Sequence, residues 1–184
     1  WDQDGAKFFP NAFVKMPPEI PFVNSTEKPP EFTAGDFWSW AYSDLVDNAT
    51  RGVLAEFLVA QALGLELDPK AHWEPFDLET PAGTRIEVKA SGYLQAWAQR
   101  KHSVIQFSGL KAKAWDQKTG LHAEEATFNA DMYVFCKQTS VEHDQYDVLN
   151  VEQWAFFVVP LSYVKEKGLN SLSEKTILRD GVTL

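Results

Sequence analysis

The chain has 184 residues, 45% apolar and 14% aromatic, which suits one globular domain with a sizeable core and argues against a disordered chain. A formal charge of −9 excludes a uniformly basic coat for gripping nucleic acid. No apolar run reaches the roughly 18 residues of a membrane helix, and no charged-then-apolar leader opens the chain. The expectation is therefore a cytoplasmic protein with no membrane partner. The single cysteine, Cys136, cannot form an internal disulfide and points the same way.

Residues 1–36 hold six of the ten prolines, which reads as an extended N-terminal arm, since proline lacks an amide proton and restricts its neighbour. Phe8, Phe9, Phe13 and Phe22 would dock that arm on the body, leaving 37–184 as one domain. A helix from Asp36 to Val46, capped by Asp36, carries Phe37, Trp38 and Trp40 as core residues. A second helix spans Arg51 to Leu63, capped by Asn48 or Thr50 and closed by Gly64. It is apolar on nearly every side, so burial is expected, with Glu56 as its lone acid.

Strands are predicted near Pro75–Glu79, Thr84–Lys89, Ser103–Phe107, Asp131–Lys137 and Trp154–Val159. Leu161–Lys167 reads as a short helix ended by Gly168, and Thr176–Leu184 as an edge strand. Lys111–Thr127 reads as a long polar loop. The fold class is α/β in the mixed α+β sense.

Pro81-Ala82-Gly83 suits a three-residue hairpin loop pairing Thr80 with Thr84. In that register Asp77 faces Glu87, Glu79 faces Arg85, Leu78 faces Ile86 and Phe76 faces Val88. Alternation puts Asp77, Glu87 and Lys89 on one face. Carboxylates directly opposed, with Cβ atoms about 4.5–5.5 Å apart, repel unless a cation lies between them. Such hard oxygen ligands suit Mg²⁺, with Mn²⁺ as a substitute, and the metal would polarise phosphate and acidify water. Glu79 and Arg85 read as an ordinary cross-strand pair.

Together these residues resemble the PD-(D/E)XK nuclease superfamily, the fold of many restriction endonucleases and Holliday-junction resolvases. Its pattern is an acid on a helix, Asp on a strand, then Glu-x-Lys on the next strand. Here these are Glu56, Asp77 and Glu87-Val88-Lys89, although Phe76 separates Pro75 from Asp77. The resemblance implies a restriction endonuclease-like core with a central mixed sheet flanked by helices. It also implies metal ligation by Asp77, Glu87, Glu56 and the Val88 carbonyl, with Lys89 assisting the water or transition state. Ser91 would support lysine or phosphate.

Between Arg100 and Lys118, five basic residues (Arg100, Lys101, Lys111, Lys113, Lys118) face one acid, Asp116. That strip fits a local DNA contact and equally a solvated surface. Gln95 reads as solvated and polar, and Trp97 and Trp115 as packing residues. The four histidines show no zinc spacing with Cys136. The leading expectation is a Mg²⁺-dependent DNA endonuclease of restriction or repair type. The alternative is an inactive nuclease-fold module that binds nucleic acid or a protein. RNA as substrate and a homodimer both stay open.

Overall fold

A computed structural model describes residues 15–25, 30–70, 75–113, 115–116 and 121–182, the pair 115–116 as backbone only. Phe8, Phe9, Phe13, His72, Lys118 and the last two tail residues lie outside the described residues. The chain divides into two compact units, Trp1–Ser43 with Glu66–His72, and Asp44–Leu65 with Trp73–Leu184.

In the first unit the proline-rich segment doubles back on itself. Phe22 donates to the Phe32 carbonyl (3.1 Å), Ala34 to Ile20 (2.9 Å), and the Phe22 and Phe32 rings lie 4.9 Å apart. Helix α1 (Ala34–Tyr42) starts earlier than the Asp36 cap suggests. Thr33, in extended conformation, is the cap, and Asp36 sits three residues on, where its carboxylate accepts the Thr33 amide at 2.7 Å. The Thr33 hydroxyl in turn accepts the Asp36 amide, so the two residues form a reciprocal box. The helix also ends four residues before Val46. Its aromatics are not core as expected: Phe37 and Tyr42 are about half exposed, and Trp40 is 83% exposed.

The second unit opens on α2 (Asn48–Ala62), which Asp47 caps by accepting the Ala49 (2.9 Å) and Thr50 (3.2 Å) amides. Expected burial on every side is not found, because Val53 and Phe57 are exposed. What α2 buries is the narrow stripe Arg51, Ala55, Val59 and Ala60 at helical spacing.

A four-stranded mixed sheet follows, in the order β1-β2-β6-β7. Its strands are β1 (Leu78–Glu79), β2 (Arg85–Gly92), β6 (Met132–Gln138) and β7 (Trp154–Pro160). β2 and β6 run parallel, with Glu87 beside Tyr133, Lys89 beside Phe135 and Ser91 beside Lys137. β6 and β7 are antiparallel. Parallel neighbours need a crossover, commonly helical. Here, among the described residues, it holds β3 (Gln106–Ser108), β4 (Trp115–Asp116) and β5 (Leu121–His122) instead. The β4–β5 pair falls where a polar loop was predicted, two residues per strand being too short for an alternation signal.

After α3 (Leu161–Lys167), β8 (Ser171–Ser173) pairs with β3 and leads straight into α4 (Glu174–Arg179). The predicted tail strand is thus a helix, started by the Ser173 hydroxyl accepting the Thr176 amide at 3.2 Å. No helix among the described residues is long and apolar enough to cross a membrane.

Register divides the sheet between two layers. Residues Tyr133, Phe135, Phe157 and Val159 point into the main core with Phe107, Leu172, Val164 and Ile177. The opposite face, including Gly92, Cys136 and Gln138, receives α2. At the start of the parallel pair, Asp131 takes a bidentate bond from Arg85 (2.7 and 3.0 Å) and the Arg85 backbone amide as well.

Those bonds hold the Asp131 carboxyl down at about 2, against an ordinary value of 3.8. A depressed carboxylate contributes stability that is full above about pH 4 and is lost as pH falls toward 2. Asp131→Asn should therefore lower the melting temperature at neutral pH and shrink the wild-type-minus-variant gap between pH 4 and 2. A gap independent of pH in thermal melts would disprove that role.

Candidate active site

The turn at Pro81-Ala82-Gly83 forms as its residues require. Thr80 donates to the Thr84 carbonyl (3.0 Å), Gly83 donates to Thr80 (2.8 Å), and Gly83 has the left-handed φ of 79°. Leu78 pairs with Ile86 and Glu79 with Arg85, as the loop length dictates. There the ladder stops, so Asp77–Glu87 and Phe76–Val88 are not ladder pairs, and β1 does not extend back to Pro75.

Asp77 stands where the ladder breaks. A continued ladder would give the Val88 amide to the Phe76 carbonyl. Instead the Asp77 carboxylate accepts that amide at 2.8 Å, and the Asp77 amide, which a regular ladder would turn away from β2, donates to Ile86 at 3.0 Å. Asp77 is thereby held on the edge of β2, against the peptide that joins Glu87 to Val88. A strand residue sends its N–H and C=O to the same edge, so the Val88 carbonyl also faces the Asp77 side.

Glu87 lies on the main-core face beside Tyr133, and Lys89 stands two residues further on the same face. The Lys89 amine is 2.5 Å from the Glu87 carboxylate, with side-chain exposures of 23% and 11%. Burial, and next the Glu87 charge, push the Tyr133 hydroxyl up to about 12. That hydroxyl donates to the Leu110 carbonyl at 3.2 Å.

Glu56 belongs with Asp77 in a different way. Burial raises the Cys136 thiol far above its ordinary value, and the charges of Asp77 and Glu56 add to that shift. Glu56 lies on α2 and Glu87 on the core face of β2, with Asp77 at the strand edge. Among the described residues, no three His, Cys, Asp or Glu side chains gather into a cation-sized cluster. At the edge stand the Asp77 carboxylate and the Val88 carbonyl, and Glu87 offers a second carboxylate from the core face. Mg²⁺ needs only one or two carboxylates, filling its octahedron with water and phosphate, so the donor chemistry fits.

Ser91 continues the Glu87–Lys89 line, and its hydroxyl accepts the Gln106 amide at 3.3 Å. Arg100, Lys101 and Lys113 are exposed. Lys111 is engaged within the fold, donating to the Gly168 carbonyl at 3.2 Å with its amine 4.9 Å from the Phe128 ring centre. Trp97 is exposed rather than packed, while the Trp115 side chain lies outside the described residues.

Sequence reasoning passed over the charge at the centre of the α2 layer. Arg51 is 2% exposed, and its Nη2 donates to the Val46 carbonyl (2.6 Å), Asn48 (3.0 Å) and Gln95 (3.0 Å). Burial lowers its affinity for the proton. Gln95, expected in solvent, is buried and donates onward to the Gly92 carbonyl and the Ser103 hydroxyl. The signal was present in the helix: Arg51 shares its stripe with Ala55 and Val59, at i, i+4 and i+8.

The chain belongs to an endonuclease family. That family is the one described as bacteriophage T4 endonuclease IV, whose model matches residues 39–169, with Glu56, Asp77, Glu87 and Lys89 inside the match. Among curated proteins and solved structures, nothing matches the chain.

Proposed function

We propose that this chain is a metal-dependent endonuclease that cleaves DNA, built on a PD-(D/E)XK-type site and of restriction or repair type. The observation that carries the reading is β2 itself, where the Asp77 carboxylate lies 2.8 Å from the Val88 amide at the strand edge and the Lys89 amine 2.5 Å from Glu87 on the core face. Membership of an endonuclease family supports the same reading.

Asp77, Glu87 and the Val88 carbonyl would hold Mg²⁺ or Mn²⁺, with Glu56 adding negative field from α2. When bound, the metal supplies a polarised phosphate and an acidified water. Lys89 balances Glu87 before substrate arrives, then offers its proton and charge to the scissile phosphate. Exposed Arg100, Lys101 and Lys113 would meet the phosphate backbone, Lys111 contributing field from its fixed position.

Cleavage of plasmid, single-stranded DNA and RNA, in Mg²⁺, in Mn²⁺ and in EDTA, tests the reading. Wild type should cut DNA only with metal, and Asp77→Asn and Glu87→Gln should each lose at least about a hundredfold in rate while staying folded. Equal cutting in EDTA would remove the metal from the account. Equal cutting by both variants would remove the site.

A further inference from the structure

The charged line on the core face of β2 does not end at Ser91. Register sets Lys137 beside Ser91, on the same face as Glu87 and Lys89, but on the neighbouring strand. Two residues along a strand advance about 6.6 Å and neighbouring strands lie about 4.8 Å apart, so Lys89 and Lys137 have Cα atoms about 8 Å apart. Two flexible ammonium groups so placed can reach phosphates of neighbouring nucleotides.

Lys137 is an odd occupant of its position. Tyr133 and Phe135, the two preceding residues of the same face, are entirely buried in the core. The Lys137 amine is ion-paired with Glu174, the first residue of α4, and lies 5.7 Å from the centre of the Tyr93 ring. The Tyr93 hydroxyl donates to the other Glu174 oxygen at 3.3 Å. Side-chain exposures of 16% and 15% leave the pair partly open to solvent. Such a pair stabilises a fold poorly, because the desolvation of its charges offsets their attraction. It also lies where β2 and β6 both end, the side of a parallel pair on which ligands collect in open α/β sheets.

We propose that Lys137 is a substrate-binding residue that takes a second phosphate of the nucleic acid, with Glu174 as a counter-ion that the phosphate displaces and Tyr93 as its support. This rests on the endonuclease reading above. Glu174 keeps the lysine charged and extended before substrate arrives, and the Tyr93 ring stands 5.7 Å from its amine. A phosphate then exchanges one anionic partner of Lys137 for another, and α4 stays anchored through the Glu174 amide, which donates to Ile105 at 3.2 Å.

The test is steady-state cleavage of fluorescently labelled single-stranded and duplex oligonucleotides across a salt series, with thermal melts as the control for folding. Lys137→Met should raise KM about tenfold, with a smaller change in kcat, and reduce the slope of log KM against log salt by about one. Lys137→Arg should restore both. Glu174→Gln should act in the opposite direction, lowering KM about threefold, because it frees the lysine; a purely structural pair predicts no gain. A wild-type KM and salt slope in Lys137→Met overturns the proposal, as does an unchanged or raised KM in Glu174→Gln should the methionine variant not fold. A wild type that neither binds nor cuts overturns the endonuclease reading and this inference with it.

Discussion

Methionine in place of Lys89 should leave a folded protein that still holds nucleic acid but cuts it at least about a hundredfold more slowly. The substitution keeps the length and bulk of the aliphatic stem and removes only the ammonium. A single positioned group that donates a proton or stabilises developing charge is worth about 10²–10⁴ in rate. The side chain is 23% exposed and its amine is 2.5 Å from Glu87, so it is already placed beside the acid it serves. Strand parity keeps that placement, since Glu87 and Lys89 sit two residues apart on one continuous strand. Initial rates on plasmid in Mg²⁺, with binding followed by fluorescence anisotropy, separate the outcomes. A variant with unaltered rate would show that the lysine only balances Glu87.

Truncating Arg51 to alanine should cost about 3 kcal/mol. The Val46 carbonyl, Asn48 and Gln95 each lose a charge-assisted bond, and a buried acceptor left unsatisfied costs about 1–3 kcal/mol. The vacated volume adds to that where α2 cannot settle onto the sheet. The same guanidinium explains Gly92. A Cβ built there would lie 2.5 Å from Arg51 Nη1 and 3.5 Å from the Gln138 Cβ, and the arginine cannot swing aside without losing its three acceptors. Gly92→Ala alone should cost about 1–3 kcal/mol by overpacking. In the double variant the methyl group enters the space the arginine left, so the sum of the two losses should exceed the measured loss. Strict additivity in denaturant melts would show that the two residues do not press on each other.

The hairpin was legible because three adjacent residues, Pro81, Ala82 and Gly83, set both the turn and the register of Leu78–Ile86 and Glu79–Arg85. Parity then carried Glu87 and Lys89 to one face. The register failed at Asp77, since alternation counts backbone pairs and cannot foresee a carboxylate capturing an amide from the facing strand. Helix starts were misplaced for a related reason. Thr33 and Asp47 cap from positions before the apolar pattern begins, and Asp36 belongs to its box as the third helical residue. The partnership of Arg51 with Gln95 joins residues 44 apart, and no local window contains both. Lys137 was read as the last residue of a strand. Its parity with Tyr133 and Phe135 marks it as inward, yet what it meets there, Glu174, arrives from a helix that the tail pattern did not show.

The short reach of β1 has a further consequence for how this protein behaves in a crowded solution. Beyond Ile86, among the described residues, no β1 residue pairs with the outer edge of β2, and an unpaired stretch of strand edge is a template on which another chain can add a strand. Asp77 blunts that edge. Its carboxylate already occupies the Val88 amide and sets a negative charge against the approach of any incoming carbonyl row. The acid on which the proposed chemistry depends therefore also closes one donor of that edge, and the two can be lost together in a single substitution.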